Sequence, residues 1–212
     1  QLGAGVRLYD RRKESREAIA EEIATETGMT VVPAFDDVDI IAGQGTCGLE
    51  IVQQMRKLGK EPDAVVCPVG GGGLIAGVST AVKGMVPDAR VYGVEPASFN
   101  DHVLSIREGE RRKLTGKRNS ICDALLAPEP GKITWSINRE TVDGFVTVTD
   151  EEVEEAIRYA YRHLKLVVEP GGVVALSALL KRKIGLAGKR VVVILSGGNI
   201  DPSLFCRCLQ GS

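Results

Sequence analysis

The most constraining feature of this sequence is a run of four glycines that directly follows a short apolar segment. Val65, Val66 and Cys67 predict a buried strand, residues 70–73 are all glycine, and the apolar segment from Leu74 predicts a helix. Four successive glycines are unfavourable because glycine loses more backbone entropy on folding than any other residue. Such a turn is typical of backbone that approaches a ligand closely or adopts a positive φ.

This turn predicts a phosphate-binding site. A strand, a glycine turn and a helix N-terminus together direct several backbone N–H groups at one point, and the helix dipole adds to their positive potential. A tight strand-to-helix turn without a ligand is the simpler alternative, but the length of the glycine run favours the phosphate. The candidate residues are Gly70, Gly71, Gly72, Gly73 and Leu74.

Strands and helices alternate along the chain. Apolar runs predict strands at residues 6–9, 29–32, 65–69, 90–95, 145–148 and 189–195. The run from Val191 to Leu195 is expected to be buried on both sides, which is typical of a parallel sheet with helices on both faces. We therefore predict an α/β fold: a three-layer parallel sheet in a large domain (residues 36–212), and part of a second, smaller α/β domain with a βαβ unit (residues 1–35).

Two helices have specific signals. Residues 40–48 lead into a helix that ends near Leu58, and Leu49, Val52 and Met55 are expected to share its buried face. Thr149 and Glu152 have the spacing of a capping box, which predicts a helix beginning at residue 150.

The overall charge excludes an electrostatic footprint for nucleic acid or for an anionic membrane. There are 27 basic and 28 acidic residues, and the net charge is −1. The basic cluster at residues 107–118 has no aromatic residues and is interpreted as a solvated loop, and no apolar run is long enough to span a membrane.

The five cysteines have neither zinc-site nor disulfide-framework spacing. A reducing, cytoplasmic location is therefore predicted.

A second turn should lie near the glycine turn. Ser196 to Asn199 directly follow an apolar strand, as Gly70 to Gly73 do. In parallel sheets, ligands bind outside the carboxyl ends of the strands. The sequence therefore places the two turns at the same edge of the sheet.

Four stretches in this order carry a family resemblance: Ile41-Ala42-Gly43-Gln44-Gly45-Thr46, Pro68-Val69-Gly70-Gly71-Gly72-Gly73-Leu74, Val168-Glu169-Pro170-Gly171-Gly172 and Leu195-Ser196-Gly197-Gly198-Asn199-Ile200-Asp201. Together they resemble the pyridoxal-phosphate (PLP) enzymes of the tryptophan-synthase-β fold type. The nearest branch is that of the threonine/serine dehydratases and serine racemase. The resemblance covers nearly the whole chain.

The resemblance implies roles for the turn residues. Gly70 to Leu74 match the loop that holds the cofactor phosphate, and Ser196 matches the residue whose hydroxyl hydrogen-bonds to the pyridine nitrogen. Glu169 is implied to lie near the cofactor ring or to support it, although a helix N-terminal carboxylate is an equally simple interpretation. Neither His102 nor His163 matches a functional position of the family, and both are interpreted as surface or structural residues.

A metal site is also implied. In the racemase and some dehydratases of this family, a glutamate, a backbone carbonyl four residues later and an aspartate six residues later bind a divalent cation. The matching groups here are Glu95, the Phe99 carbonyl and Asp101. Such oxygen ligands suit Mg²⁺ or Ca²⁺. Solvated carboxylates in a strand-end turn are the open alternative.

The sequence lacks one essential family motif. The lysine that forms a Schiff base with the cofactor belongs to a Ser-x-Lys-x-Arg-like motif, and neither this motif nor the family's substrate-carboxylate loop occurs here. No catalytic residue is therefore assigned within the chain, which resembles the C-terminal portion of the family's catalytic unit. We expect an N-terminal complement of the same fold, and the resemblance implies a homo-oligomer such as a homodimer.

The implied activity is PLP-dependent deamination of L-threonine or L-serine, by elimination of water, to a 2-oxo acid and ammonia. The absence of a regulatory domain after Asp201 favours the catabolic or racemase-like branch. Serine racemase activity is the neighbouring alternative, and a non-catalytic remnant of the fold is another. A nucleotide-binding Rossmann-type module is the alternative from a different class, but the glycine spacing fits its fingerprint poorly.

Overall fold

The computed structural model describes residues 3–10 and 13–210. Residues 1–2 and 211–212, which are the outer ends of the two predicted domains, lie outside the described residues, as do residues 11–12. The chain divides into two compact units, Gln1–Pro33 and Ala34–Ser212.

The first unit contains helix α1 (Arg16–Thr27). The helix begins where the Ser15 hydroxyl accepts a hydrogen bond from the Ala18 N–H, and it ends at Gly28 in the left-handed conformation. It supplies the helix of the βαβ unit predicted in residues 1–35. The strands predicted at residues 6–9 and 29–32 are wrong, because both segments are irregular. A strand is stabilised by pairing with another strand, and in the described part of this unit neither segment has a paired neighbour. Their apolar side chains are accordingly exposed.

The second unit is built on a parallel four-stranded sheet with the order β3-β2-β1-β4. Its strands are β1 (Ala64–Pro68), β2 (Arg90–Pro96), β3 (Gly144–Val148) and β4 (Val191–Val193). In the centre of the sheet, Val66 of β1 pairs with Tyr92 of β2 and with Val193 of β4. The α/β fold with a parallel sheet is therefore confirmed.

Helices cover this sheet. They are α2 (Val38–Lys57), α3 (Gly73–Met85), α4 (Asp101–Glu108), α5 (Lys132–Thr141), α6 (Asp150–Tyr159), α7 (Pro170–Leu180) and α8 (Pro202–Gln210). A short 3₁₀ turn forms at Asp123–Leu125, and a π-helical turn follows α6 at Ala160–Leu164. The predicted capping box is confirmed, since Thr149 and Glu152 each accept a hydrogen bond from the other's backbone N–H. None of the helices in the described residues is both long and apolar enough to cross a membrane.

Two hydrophobic clusters lie on the two faces of the sheet. Val65 of β1 packs with Val52 of α2 and Val78 of α3. The next residue along the strand, Val66, belongs to the other cluster, with side chains of α6 and α7 such as Val153. Successive strand residues point to opposite faces, so apolar side chains on both faces produce the three-layer arrangement.

The sheet departs from expectation at β4. Val191, Val192 and Val193 are half-buried rather than fully buried, because β4 is an edge strand with a neighbour on one side only among the described residues. The strand also ends at Val193, before the predicted Leu195. The continuous apolar run does not distinguish an edge strand from a central one.

Helix α2 begins earlier than predicted and includes the glycines at 43 and 45. The Asp37 carboxylate accepts hydrogen bonds from the backbone N–H groups of Asp39 and Ile40, and it therefore starts the helix. Helix α3 crosses α2 at Gly48, where a Cβ would lie 2.7 Å from the Val78 carbonyl oxygen, so the close contact requires glycine.

The predicted buried face of α2 is partly wrong. Val52 is fully buried, but Leu49 is 40% exposed. The face that contacts α3 contains Ile41, Gly48 and Val52, which recur at the helical spacing of seven and four residues. Leu49 lies one residue, or about 100°, away from this stripe.

Candidate functional site

The four-glycine turn joins β1 directly to α3. Gly72 has φ = +94°, which only glycine adopts without strain. A Cβ at this position would lie 2.6 Å from Asn138 Nδ2 and 2.7 Å from His102 Nε2. Both the backbone conformation and the surrounding side chains therefore require glycine.

The N-terminus of α3 offers free backbone N–H groups. No side chain caps this helix, and the first bond of its ladder runs from the Ala76 N–H to the Gly72 carbonyl. The helix itself therefore does not use the N–H groups of Gly73, Leu74 and Ile75. Gly70 and Leu74 are half-exposed, so a ligand can reach the two ends of the turn.

Helix α5 holds the carbonyl groups of the turn from behind. Thr134 Oγ1 donates to the Gly71 carbonyl at 2.7 Å, and Asn138 Nδ2 donates to the Gly72 carbonyl at 3.2 Å. In a trans peptide unit the C=O and N–H groups point in opposite directions. The N–H groups of Gly72 and Gly73 therefore point away from α5, as a phosphate-binding turn requires.

The segment before α2 also supports the turn. The aromatic ring of Phe35 lies against Gly71, and its backbone lies against Gly73, where a Cβ would be 2.9 Å from the Phe35 Cα. The neighbouring Asp36 carboxylate accepts N–H bonds from residues 132–134 at the start of α5. The turn is thus packed between α5 and residues 35–36.

The second predicted turn packs against the N-terminus of α7. The Glu169 N–H donates to the Gly197 carbonyl at 3.1 Å, and Glu169 Oε2 accepts a bond from the Asn199 N–H at 3.0 Å. The Ser196 N–H donates to the Gly172 carbonyl at 3.3 Å, while the Ser196 residue is exposed. The glutamate therefore fixes the turn that carries the serine.

Both turns lie at the carboxyl edge of the sheet. Val66 of β1 pairs with Val193 of β4, and the chain reaches Gly70 four residues after the first and Ser196 three residues after the second. The 3₁₀ turn lies against both regions, since Leu125 would contact a Cβ at Gly70 and one at Gly171. The structure therefore brings the two predicted turns to one side of the sheet.

Behind the glycine turn lies a buried cluster of Glu95, Asp101 and His102. Glu95 lies near the end of β2, and Asp101 and His102 begin α4; all three residues are at most 1% exposed. The two oxygens of Glu95 accept the N–H groups of His102 and Val103, both at 2.9 Å. His102 Nδ1 lies 3.3 Å from Glu95 Oε1 and 3.4 Å from Asp101 Oδ2.

Burial and charge act in opposite directions in this cluster. Desolvation raises the pKa of Glu95 and of Asp101, and the nearby His102 only partly offsets that rise. Burial alone would lower the pKa of His102, but Asp101 and Glu95 more than compensate and raise it to about 9. The cluster therefore favours positive charge between its two carboxylates.

His102 also links this cluster to the glycine turn. Its Nε2 lies 3.4 Å from Asn138 Nδ2, which donates to the Gly72 carbonyl, and its ring stacks on Phe145 with the centroids 5.1 Å apart. Both histidines were expected to be surface or structural residues. His102 is a buried structural residue, and His163 is exposed. The place of His102 beside both carboxylates was not predicted.

Sequence reasoning missed His102, Asn138 and Phe35 as parts of this site. His102 directly follows a predicted metal ligand, and that adjacency was the available signal. Asn138 reaches Gly72 from 66 residues away, and nothing local in the sequence marks it. The Phe99 N–H donates to the Pro96 carbonyl within the same turn. The predicted metal-binding role of the Phe99 carbonyl stays a prediction.

The glycine turn and the serine turn fit a phosphorylated aromatic cofactor. The glycine turn combines a positive φ, carbonyls held on the far side and a helix N-terminus without a side-chain cap. These are the features of a backbone anion site. The serine turn supplies an exposed hydroxyl at the same edge of the sheet.

Comparison with known proteins points to the same chemistry. The family model described as "Pyridoxal-phosphate dependent enzyme" matches residues 1–197. The chain is 35% identical over 209 residues to an L-threo-3-hydroxyaspartate ammonia-lyase from Saccharomyces cerevisiae. The aligned region covers 99% of this chain and 63% of that protein. It is 37% identical over 208 residues to a serine racemase from Schizosaccharomyces pombe, with coverage of 98% and 63%.

A solved structure agrees. The structure of maize serine racemase superposes with a TM-score of 0.87 at 32% identity, covering 96% of this chain and 62% of that one. The chain therefore spans less than two thirds of the length of these relatives. Because the family model matches nearly the whole length of the chain, the chain belongs to the pyridoxal-phosphate-dependent enzymes.

Proposed function

We propose that this chain is part of a PLP-dependent lyase that deaminates a β-hydroxy amino acid such as L-threonine or L-serine. The reaction eliminates water from the substrate and yields a 2-oxo acid and ammonia. The observation that carries the proposal is the pair of turns at one sheet edge: an uncapped glycine turn suited to a phosphate, and an exposed serine suited to a ring nitrogen. Relatives named as L-threonine and L-threo-3-hydroxyaspartate ammonia-lyases support it.

The glycine turn is proposed to bind the cofactor phosphate. The N–H groups of Gly72 and Gly73 point away from α5, and those of Leu74 and Ile75 add the helix terminus. Charge-assisted hydrogen bonds from backbone N–H groups are short and strong. Because side chains fix the carbonyls of the turn, its donors are already oriented before the ligand arrives.

Ser196 is proposed to set the electronic character of the cofactor ring. When bound, PLP withdraws electrons from the α-carbon of the amino acid attached to it. A serine hydroxyl can donate a hydrogen bond to the ring nitrogen without transferring a proton, whereas a carboxylate would hold that nitrogen protonated. The weaker electron withdrawal that results suits early loss of a β-hydroxyl group.

Glu169 is proposed to position Ser196 rather than to touch the cofactor. Its backbone and carboxylate both bind the 197–199 segment, and a Cβ at Gly197 would lie 2.7 Å from its Cδ. This close contact supports the role of a supporting residue. Glutamine at this position keeps the size and one acceptor, so it should retain more activity than alanine does.

The lysine that binds the cofactor is proposed to lie outside residues 1–212, on an N-terminal complement of the same fold. Supporting observations are the unmatched lysine motif and the edge strand β4, whose valines are half-exposed. An additional strand beside β4 would bury them and satisfy the free edge. The cytoplasmic location is supported by five free cysteines, and the homo-oligomeric state stays a prediction.

Serine racemase activity is the second candidate, and the relative from S. pombe favours it. Dehydration and racemisation both begin with removal of the α-proton. They differ in whether the β-hydroxyl leaves or a proton returns to the opposite face. Nothing in residues 3–10 and 13–210 assigns the group that returns the proton, so the products must decide between the two.

The deciding experiment measures products formed by the full-length protein with added PLP. L-threonine and L-serine are supplied separately, and 2-oxo acid, ammonia and D-serine are quantified. The proposal predicts equal amounts of 2-oxo acid and ammonia, and D-serine as the main product would favour the racemase instead. Saturable NAD binding without any amino-acid turnover would contradict both and support a nucleotide-binding module. A protein that gives none of these signals is a non-catalytic remnant of the fold.

A further inference from the structure

We propose that His102 is itself a ligand of the cation site predicted at Glu95 and Asp101, and that it makes the site select a transition-metal ion such as Zn²⁺ over Mg²⁺ and Ca²⁺. The family resemblance implies oxygen ligands only. His102 adds a nitrogen donor from this chain, and its role does not depend on which reaction the enzyme catalyses.

The spacing of the three side chains suits one coordination sphere. Glu95, Asp101 and His102 each offer one ligand atom, and these three atoms lie within 4.8 Å of one another. His102 Nδ1 is 3.3 Å from Glu95 Oε1 and 3.4 Å from Asp101 Oδ2. For bonds of about 2.1 Å to nitrogen and oxygen, the edge of a tetrahedron is about 3.4 Å. The edge of a Mg²⁺ octahedron is only about 2.9 Å.

Two buried atoms in this cluster make no well-aligned hydrogen bond, although they lie 3.4 Å from each other. They are His102 Nδ1 and Asp101 Oδ2, and their side chains are 0% and 1% exposed. An unsatisfied buried polar atom destabilises the folded state, and it does so more strongly when it is charged. A cation bound between them would satisfy both atoms with one ion.

A divalent cation would also balance the charge of the two carboxylates. Glu95 and Asp101 are both buried, and among the described residues His102 is the only basic group recorded within 4 Å of either carboxylate. Glu95 already accepts two backbone N–H groups, but a carboxylate has about four acceptor positions, which leaves room for a metal bond. A divalent ion balances two carboxylates without a further protein charge.

An imidazole ligand decides which ion fits. Mg²⁺ and Ca²⁺ are hard cations that prefer oxygen, whereas imidazole suits Zn²⁺ and related transition metals. The His102 ring is held in place by stacking on Phe145, and its Nδ1 faces the two carboxylates.

Calorimetric titration with Zn²⁺, Mg²⁺ and Ca²⁺, each alone, tests this selectivity. The full-length protein carries Cys206→Ser throughout, so that the exposed thiol does not capture zinc. We expect one Zn²⁺ site that binds about tenfold or more tightly than either Mg²⁺ or Ca²⁺. His102→Asn should lose that preference, whereas His163→Asn, which changes an exposed histidine, should keep it.

Equal affinity for Zn²⁺ and Mg²⁺, or unchanged Zn²⁺ binding in His102→Asn, would overturn the proposal. The unaltered protein provides a second test in case the variant does not fold. Mn²⁺ bound to it should show ¹⁴N modulation in pulsed electron paramagnetic resonance, and ¹⁵N-labelled histidine should change that signal. Bound Mn²⁺ without a nitrogen signal would contradict the inference. So would the absence of any bound cation, which would mean that the His102 N–H itself fills the space between the carboxylates.

Discussion

At the scale of single residues, the site depends on positions where the backbone and its neighbours leave one choice. Gly72 combines a positive φ with two side chains that occupy the space of a Cβ. The fold itself therefore requires glycine at this position, whether or not a ligand is bound. The adjacent His102 and Asn138 make the shape of the turn sensitive to the buried cluster behind it.

Gly72→Ala should destabilise the protein and weaken PLP binding. The left-handed conformation costs a non-glycine residue about 1–2 kcal/mol, and the contacts with Asn138 and His102 add to that cost. Urea unfolding measures the stability change, and absorbance titration of the full-length protein with PLP measures the affinity.

Gly84→Ala is the matched control for this prediction. Gly84 lies in α3, the helix that follows Gly72, and a Cβ there would meet nothing within 4 Å. Because glycine inside a helix is less favourable than alanine by about 0.5–1 kcal/mol, this variant should gain stability and keep its PLP affinity. If the two variants lose stability to the same extent, the role assigned to Gly72 is wrong.

Residue patterns predicted some of the site and missed the rest for a physical reason. Glu95 and Asp101 are six residues apart, so a local pattern can bring them together, and the structure does so. Asn138 and Phe35 reach the glycine turn through tertiary packing of α5 and of the segment before α2. The pattern of neighbouring residues in the sequence does not predict such tertiary contacts.

At the scale of elements, the helix that supports the glycine turn is positioned from another part of the chain. Asp36 accepts three backbone N–H bonds at the start of α5, and Thr134 of that helix donates to the Gly71 carbonyl. The turn therefore depends on a cap that lies 96 to 98 residues away in sequence.

Asp36→Ala should lower both stability and PLP affinity. Loss of a helix cap costs about 1 kcal/mol, and a displaced α5 no longer fixes the Gly71 carbonyl. Asp37→Ala is the comparison, because Asp37 caps α2 and has no recorded bond to the turn or to α5. It should reduce the unfolding free energy similarly but keep PLP affinity. Equal loss of PLP affinity in the two variants would contradict this role of Asp36.

A charged pair joins the beginnings of β1 and β4. The carboxylate of Asp63 accepts bonds from the Arg190 backbone and guanidinium, which, with the nearby Lys189 charge, lower the pKa of Asp63 to about 2. An unfolded aspartate has a pKa of about 3.9. The pair therefore stabilises the fold above pH 3.9, and that contribution is lost as the pH falls toward 2.

Asp63→Asn should therefore lower the melting temperature at pH 7 and make little difference at pH 2. Thermal unfolding across this pH range measures the effect. Asp88→Asn, which removes an exposed carboxylate in the turn before β2, controls for the change in net charge and should show a smaller difference at pH 7. A difference between Asp63→Asn and the unaltered protein that is the same at pH 7 and pH 2 would contradict the pairing.

At the scale of the whole molecule, the sequence predicted the parallel sheet because its strands are apolar and short and are separated by helices. It failed where a strand depends on its neighbours. Residues 6–9 and 29–32 have strand-like sequences but form no strand, and β4 is half-exposed at the sheet edge. Strand formation requires a pairing partner, and the composition of a segment does not reveal whether the chain supplies one.

The central claim is that this chain holds the phosphate and ring sites of a PLP enzyme whose lysine lies elsewhere. Borohydride reduction of the protein from its natural source, followed by intact and peptide mass spectrometry, tests it most directly. Reduction makes the bond between cofactor and lysine permanent. We predict one pyridoxyl group on a lysine outside residues 1–212, in the same chain or in a companion chain. A pyridoxyl group on a lysine within residues 1–212, or none at all, would contradict the claim.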